Sequence, residues 1–297
     1  MSELSPACVE TIVIPQAKDI GGFGVRRALP SARKRMVGPF VFLDHMGPAD
    51  FAPGIGMDVR PHPHIGLATL TYLLEGALFH RDSLGSAQEI APGAVNLMVA
   101  GRGIVHSERS PQTFRASGGR MAGLQFWVGL PKKFEETEPG FEHHERAALP
   151  ELAGEGLRLR LAIGTLHGLR APVKTFSTCF FADVELDKGA VYELCGGHDE
   201  RAFYLVSGEI EIEGVSFPAG QLVVIRPGAR AALRATQPSR LAALGGDSMD
   251  GPRFVWWNFV SSDRERIAAA RADWEAGRFP SVAGDPEFIP APELKAL

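Results

Sequence analysis

His62-Pro63-His64 and, forty-two residues beyond His64, His106-Ser107-Glu108 are the stretches whose reading decides this chain. In an extended strand, a spacing of two returns a side chain to the same face. The first stretch therefore sets two imidazoles side by side, with Cα atoms roughly 6.5–7 Å apart. The second sets an imidazole beside a carboxylate in the same way. If the two strands face each other, His62, His64, His106 and Glu108 converge on one point. Three nitrogens and one oxygen suit a divalent transition metal, iron included. The competing reading makes these the solvent-facing polar positions of two alternating strands. It leaves unexplained why histidine recurs there when the chain has only nine.

Outward from these stretches the pattern is one of short strands. Leu67 to Leu74 reads as a strand that stops at Glu75-Gly76, with Ala77 to Asp82 as its hairpin partner. Ala94 to Ala100 reads as a buried strand, and Gly101-Arg102-Gly103 turns the chain into Ile104-Val105-His106. Met121 to Val128 is a further strand. Upstream, the β-branched run Val9 to Ile14 reads as a strand, and Gly21, Gly22 and Gly24 mark a loop. Gly38 to Leu43 is an apolar run ending in the turn signal Asp44-His45-Met46-Gly47-Pro48.

Downstream, the polar stretch Glu135 to Arg146 reads as a linker. A second β pattern follows in 157–163, 175–185, 190–194, 202–206, 209–212 and 222–225. Turns roughly every ten residues are the sign of a sandwich or barrel, and 34 glycines and 22 prolines agree with it. The expectation is an all-β chain of two domains, residues 1–135 with the metal ligands and residues 136–297. The end of the chain changes character. Ser262-x-x-Glu265 reads as a capping box, Ile267, Ala270 and Trp274 recur at helical spacing, and Gly277 supplies the stop. The Pro-rich tail from Ser281 to Leu297 reads as an extended arm or as partly disordered.

Composition excludes several classes. The hydrophobic content of 45% and charged content of 22% are ordinary globular values, and the net charge is −4. No basic footprint of a nucleic-acid binder is present. Cys8, Cys179 and Cys195 are odd in number and far apart, which argues against a disulfide framework and for a reducing compartment. Met1 to Pro15 shows no signal-peptide pattern, and no stretch approaches the ~20 apolar residues of a membrane helix. A soluble cytoplasmic protein is expected.

The residues resemble the two motifs of the cupin superfamily. His62, His64 and Gly76 match the first motif, whose glutamate position falls on Ala68 or Thr69. Gly103-Ile104-Val105-His106 matches the second, with Gly101 in place of its proline, and Glu108 stands in for the missing carboxylate. That variation resembles the pirin family. So do Tyr72-Leu73-Leu74-Glu75-Gly76, the run from Ala100 to Glu108, the run from Leu124 to Lys133, and the segment from Trp256 to Ser262. The resemblance covers nearly the whole chain. It implies a bicupin: two antiparallel β-sandwich barrels face to face, with a C-terminal α-helix and the metal in the N-terminal barrel. In the second half, His198-Asp199-Glu200 and Pro227 to Ala231 depart from the motifs, and that barrel is expected to be metal-free.

Neutral imidazoles and one carboxylate give a site of about +1 with a divalent ion. Four protein ligands leave two octahedral positions for O2 and an organic substrate, whereas the same four can close a tetrahedral zinc site. Fe(II) is expected first, with Ni, Mn, Cu, Co or Zn as alternatives. Pro61 and Pro63 lack amide donors, which either pre-aims the two rings or marks an edge strand. Arg102 is read as an orienting group for an acidic or phenolic substrate or as an exposed loop residue. Phe40, Phe42, Phe51, Phe79 and Phe126 are read as pocket walls or as plain core.

The resemblance implies quercetin 2,3-dioxygenase-type chemistry, in which O2 opens the ring of a flavonol or related phenol with loss of carbon monoxide. Glu108 is then both a metal ligand and the base for the 3-hydroxyl proton. The alternative that the resemblance implies is a non-catalytic, redox-responsive iron protein acting in transcriptional co-regulation through a protein partner.

Overall fold

The computed structural model describes residues 6–20, 23–194 and 197–293. Gly21, Gly22 and Cys195 lie outside them, as do both ends of the chain. Strands make up 52% of the described residues and helices 8%, so the fold is all-β, with two sandwich domains of antiparallel sheets and a C-terminal helix. No helix of the described residues is long and apolar enough to cross a membrane.

Contacts group the chain into two units that are not contiguous in sequence. One is built on residues 146–249 together with 1–18 and 26–45, the other on residues 46–145 together with 19–25 and 250–297. This differs from the expected division at 135/136. The reason lies in unfilled sheet edges. The strand Val9–Val13 finds its partner in Leu222–Ile225, far along the chain, and Phe259 forms a parallel bridge with Ile65 beside the histidine pair.

In the histidine-bearing unit, the larger sheet runs Gly140–His144, Val95–Val99, Leu67–Glu75, Gly119–Gly129 and then Phe40–Phe51. The smaller sheet runs Asp58–His64, Ile104–Arg109, Leu78–Asp82 and Ala87–Ile90. The expected hairpin between Leu67–Leu74 and Ala77–Asp82 does not form. Leu67–Glu75 pairs with Val95–Val99 and Gly119–Gly129, whereas Leu78–Asp82 crosses to the other sheet and pairs with Ile104–Arg109. The crossing is made at Gly76, which has φ +85° and where a Cβ would stand 2.9 Å from the Arg120 carbonyl oxygen. Strand periodicity does not distinguish a hairpin within one sheet from a corner between two.

Two further expectations are corrected. The apolar run from Gly38 does not turn at Asp44–Pro48; the strand Phe40–Phe51 runs through it. Asp44 there is buried and held by both Nε and Nη2 of Arg27 at 2.8 Å, so its polarity marks an ion pair, not a turn. The stretch 135–146 is not a free linker either. Gly140–His144 adds an edge strand to the larger sheet, and buried Glu135 pairs with Arg253 at 2.9 Å.

The other unit carries Leu157–Leu166, Cys179–Leu186, Ser239–Gly246, Glu200–Ser207, Leu222–Ile225 and Val9–Val13 in one sheet. A second sheet holds Val191–Leu194, Ala231–Ala235, Glu209–Ile212 and Val215–Pro218. Burial alternates along Ala231–Ala235, the period of two of a strand with one wet face. The interior is apolar, filled by Phe180, Phe203, Leu205, Phe217 and Leu241. His198 precedes the strand Glu200–Ser207. Its Nε2 lies 3.2 Å from the Thr165 carbonyl and its ring packs at 4.9 Å from Phe180.

The C-terminal helix spans Arg264–Glu275, and its cap is Asp263 instead of Ser262. Asp263 Oδ1 accepts the Glu265 amide at 2.9 Å. Ser262 donates its amide and hydroxyl to Glu135 instead, so a buried carboxylate takes the serine and leaves the cap to its neighbour. Ile267 and Ala270 face inward as the spacing predicts. The tail is an extended arm that docks: Asp285 is buried, Ile289 donates its amide to the Pro61 carbonyl at 2.9 Å, and Trp274 Nε1 donates to the Ile289 carbonyl.

Candidate metal centre

The site is laid out by one strand pair. Asp58–His64 lies antiparallel to Ile104–Arg109, with His62 directly opposite His106 and His64 opposite Ile104. Asp58–His64 is an edge strand, the one place in a sheet where Pro61 and Pro63 cost no ladder hydrogen bond. A β-bulge falls between His106 and Glu108 and sets Glu108 opposite Val59. Bulges of this kind re-aim the side chains that follow them.

His62, His64 and His106 are brought together. One nitrogen of each lies within 4.8 Å of the others, and all three residues are buried. Among the described residues this is the single cluster with metal-ligand spacing. His62 Nδ1 donates to the Arg60 carbonyl and His64 Nδ1 to the Asn258 carbonyl, each at 2.9 Å. Those bonds leave each Nε2 bare and turned inward. His64 Nε2 and His106 Nε2 are 3.1 Å apart. Two nitrogens about 2.1 Å from one metal stand about 3.0 Å apart at a right angle and about 3.4 Å apart at the tetrahedral angle. The observed spacing lies in the range that two ligands of a single ion would take.

Electrostatics agree with ligation. Burial pushes the His62 pKa below its usual 6.5, against the opposing pull of the Arg60 carbonyl and the Glu108 charge. Burial, and then the neighbouring imidazoles, push His64 and His106 well below it. Neutral imidazole is the form that binds a metal. The donor set therefore fits a divalent transition ion.

Glu108 is not in this group of three; it is buried close enough for its charge to act on His62, with its carboxylate turned to two donors of the larger sheet. Thr71 Oγ1 donates to Oε1 and Gln125 Nε2 to Oε2, both at 2.9 Å. Thr71 and Gln125 are themselves direct cross-strand partners, so one rung of that sheet holds the carboxylate. Trp127 sets its ring edge-on to His64 at 5.3 Å. None of these supports was singled out from the sequence, nor were His80 and Asp82, which lie behind His106. His80-Arg81-Asp82 does carry the same i, i+2 spacing as the other two pairs, and that was the available signal.

The remaining expected site residues lie elsewhere. Arg102 is exposed and ion-paired with Glu138. Phe40 and Phe126 are fully buried core. Phe51 stacks on Phe23 at 5.7 Å, and Phe42 and Phe79 lie under the guanidinium groups of Arg27 and Arg81.

Comparison with known proteins agrees with this geometry. Residues 22–128 match the pirin family model and residues 181–280 match that of the pirin C-terminal cupin domain. A Caulobacter vibrioides protein named pirin-like is 48% identical over 289 residues, covering 96% of this chain and all of that one. A crystal structure of quercetin 2,3-dioxygenase from Acinetobacter baumannii is 32% identical and superposes with a TM-score of 0.90, covering 97% of this chain and 96% of that one. A bacterial pirin from Escherichia coli, solved in complex with nickel(II), shares the fold at a TM-score of 0.62 and 18% identity, covering 80% of this chain and 99% of that one. With 48% identity to a pirin-like protein over 96% of its length, and both halves matching pirin models, this chain belongs to the pirin family of the cupin superfamily.

Proposed function

We propose that this protein is a metal-dependent dioxygenase that opens the ring of a flavonol of the quercetin type, or of a related phenol, with O2. The observation that carries the reading is the convergence of three buried imidazoles, held neutral by burial, within ligand distance of one another, with the buried Glu108 carboxylate nearby. Its likeness to a quercetin 2,3-dioxygenase along nearly the whole chain supports the choice of substrate class. His62, His64, His106 and Glu108 would hold the ion, for which we propose iron(II). When bound, the ion supplies Lewis acidity toward a phenolic oxygen and redox chemistry toward O2.

The chain's own residues do the rest. Glu108 takes the proton of the substrate 3-hydroxyl. Thr71 and Gln125 use two of the roughly four lone-pair positions of its carboxylate, which leaves acceptor capacity on both oxygens. Their hydrogen bonds also fix the plane of the carboxylate, so that it meets the hydroxyl without reorienting. Burial of the three histidines excludes bulk water from the point where charge develops.

The test is anaerobic loading with Fe(II), Ni(II), Co(II), Mn(II) or Cu(II), followed by quercetin and O2 with carbon monoxide detection. One carbon monoxide per flavonol consumed is expected with at least one metal. Tight flavonol binding with no carbon monoxide under any loading would overturn the reading.

A further inference from the structure

The three imidazoles of the centre are supported in two different ways. His62 and His64 rest on main-chain carbonyls, those of Arg60 and Asn258. A main-chain acceptor is present whatever side chain occupies its position. His106 rests instead on side chains. Its Nδ1 lies 3.4 Å from Nδ1 of His80, and His80 Nε2 lies 3.0 Å from Oδ2 of Asp82. All three residues are buried.

One arrangement of protons satisfies this chain. His106 must keep Nε2 bare to face a cation, so its proton sits on Nδ1 and is donated to His80 Nδ1. His80 then carries its own proton on Nε2 and donates it to Asp82. The far oxygen of Asp82 accepts the amides of Leu84 and Ser86 at 2.9 and 3.0 Å, which fixes the carboxylate from behind. Phe141 stacks on the His80 ring at 4.5 Å with an interplanar angle of 19° and fixes its plane. The placement is built into strand register, since Asp82 pairs directly with His106 and His80 lies on the diagonal.

We propose that His80 and Asp82 are positioning residues of the metal centre. Through His80, the Asp82 carboxylate fixes the tautomer and aim of His106 and strengthens it as a donor, so that His106 is the ligand through which the protein tunes the metal. This inference rests on the reading that the three histidines hold a metal.

Asp82→Asn is the sharpest probe because it keeps the shape and reverses one hydrogen bond. With Oδ1 still accepting from Leu84 and Ser86, the new amide points at His80 Nε2. His80 must then carry its proton on Nδ1, against the proton of His106, which is driven to the nitrogen the metal needs. The measurements are the nickel(II) dissociation constant, by chelator competition, and the midpoint potential of the iron-loaded protein. Wild type is compared with Asp82→Asn, His80→Leu, the double variant and His80→Gln, and apoprotein melting checks folding in each.

The expected result is a 10- to 100-fold weaker nickel affinity in Asp82→Asn and His80→Leu, of the size that second-sphere partners contribute. The double variant should be no weaker than His80→Leu, because the two residues act in series. His80→Gln, which keeps an acceptor near His106, should recover much of the loss, and the iron potential should rise in Asp82→Asn. A wild type that binds nickel beside single variants with unchanged affinity and potential overturns the inference alone. So does a double variant in which the two losses add. A wild type that takes up no metal overturns the metal-centre reading itself, and the inference with it.

Discussion

His62 and His106 face each other directly across two antiparallel strands, with ring centroids 4.4 Å apart. His64, two residues on, brings its own ring to 4.9 Å from that of His62 and 5.0 Å from that of His106. The centre is thus a property of register. A slip of one residue would turn every side chain of the pair to the opposite face. The bulge after His106 pins that register, and the Ile289 amide takes the Pro61 carbonyl on the outer edge of the histidine strand.

His106→Ala removes the imidazole whose Nε2 lies 3.1 Å from that of His64. Two imidazoles on one edge strand remain. Bound metal per chain should fall from about one to below about a tenth, because the loss of one ligand of a small set removes most of the affinity. The apoprotein should lose about 1–3 kcal/mol for the emptied buried site. Elemental analysis and thermal melting check both; a variant that retains a full complement of metal removes His106 from the site.

Glu108→Gln separates ligation from proton transfer. The carboxylate oxygens accept from Thr71 and Gln125. An amide can keep the Thr71 bond and regain the second if Gln125 turns its own amide over. The fold should therefore hold, and affinity for the metal should drop modestly. Turnover should fall by about 10²-fold or more, the contribution of a positioned base. Carbon monoxide release at the wild-type rate would remove Glu108 from that role.

The grouping of the three histidines was legible in the sequence because period two and pairing between strands are local rules. The supports of the centre were not, because each depends on which strands lie across the sandwich. Nothing in the spacing of Thr71 and Gln125 says that they share a rung facing Glu108. The Asn258 carbonyl that holds His64 comes from 194 residues away. Turns misled where polar residues were busy with ion pairs, as at Asp44, and where a corner resembled a hairpin, as at Gly76. The helix was found, but its cap slipped by one residue because Ser262 and Asp263 are equally good caps until Glu135 claims the serine.

Asp285→Asn tests the docked tail. Arg109 Nε and Nη2 donate to the two oxygens of this buried carboxylate at 2.7 and 2.8 Å, one residue past Glu108. Burial alone would raise the Asp285 pKa, but the hydrogen bonds and positive charge of Arg109 outweigh it and hold the pKa below the usual 3.8. The sign follows: the folded state prefers the ionised form, so the stabilisation is complete above about pH 4–5 and is lost as pH falls through the folded pKa. Asp285→Asn should cost about 1–3 kcal/mol at pH 7, and the gap to wild type should close toward pH 3. Urea denaturation at several pH values reads it. A gap that does not change with pH would mean that the ion pair contributes nothing.

Gly66→Ala should damage the centre from outside its ligand set. Gly66 follows the histidine pair at φ +68°, and a Cβ there would stand 2.0 Å from the Val260 carbonyl oxygen. That oxygen belongs to the short strand Phe259–Ser261, which begins one residue after Asn258, the acceptor for His64. The added methyl group has no side chain to push aside, only backbone. Gly66 also donates its amide to Gly101 and accepts that of Leu130, so it cannot itself withdraw without breaking both bonds. The left-handed conformation and the overlap together should cost about 2–4 kcal/mol. If the Val260 segment yields instead, His64 loses its acceptor, and nickel affinity should fall about tenfold. Denaturation and metal titration of the one variant distinguish the two responses, and wild-type values in both would show that the segment behind His64 gives way freely.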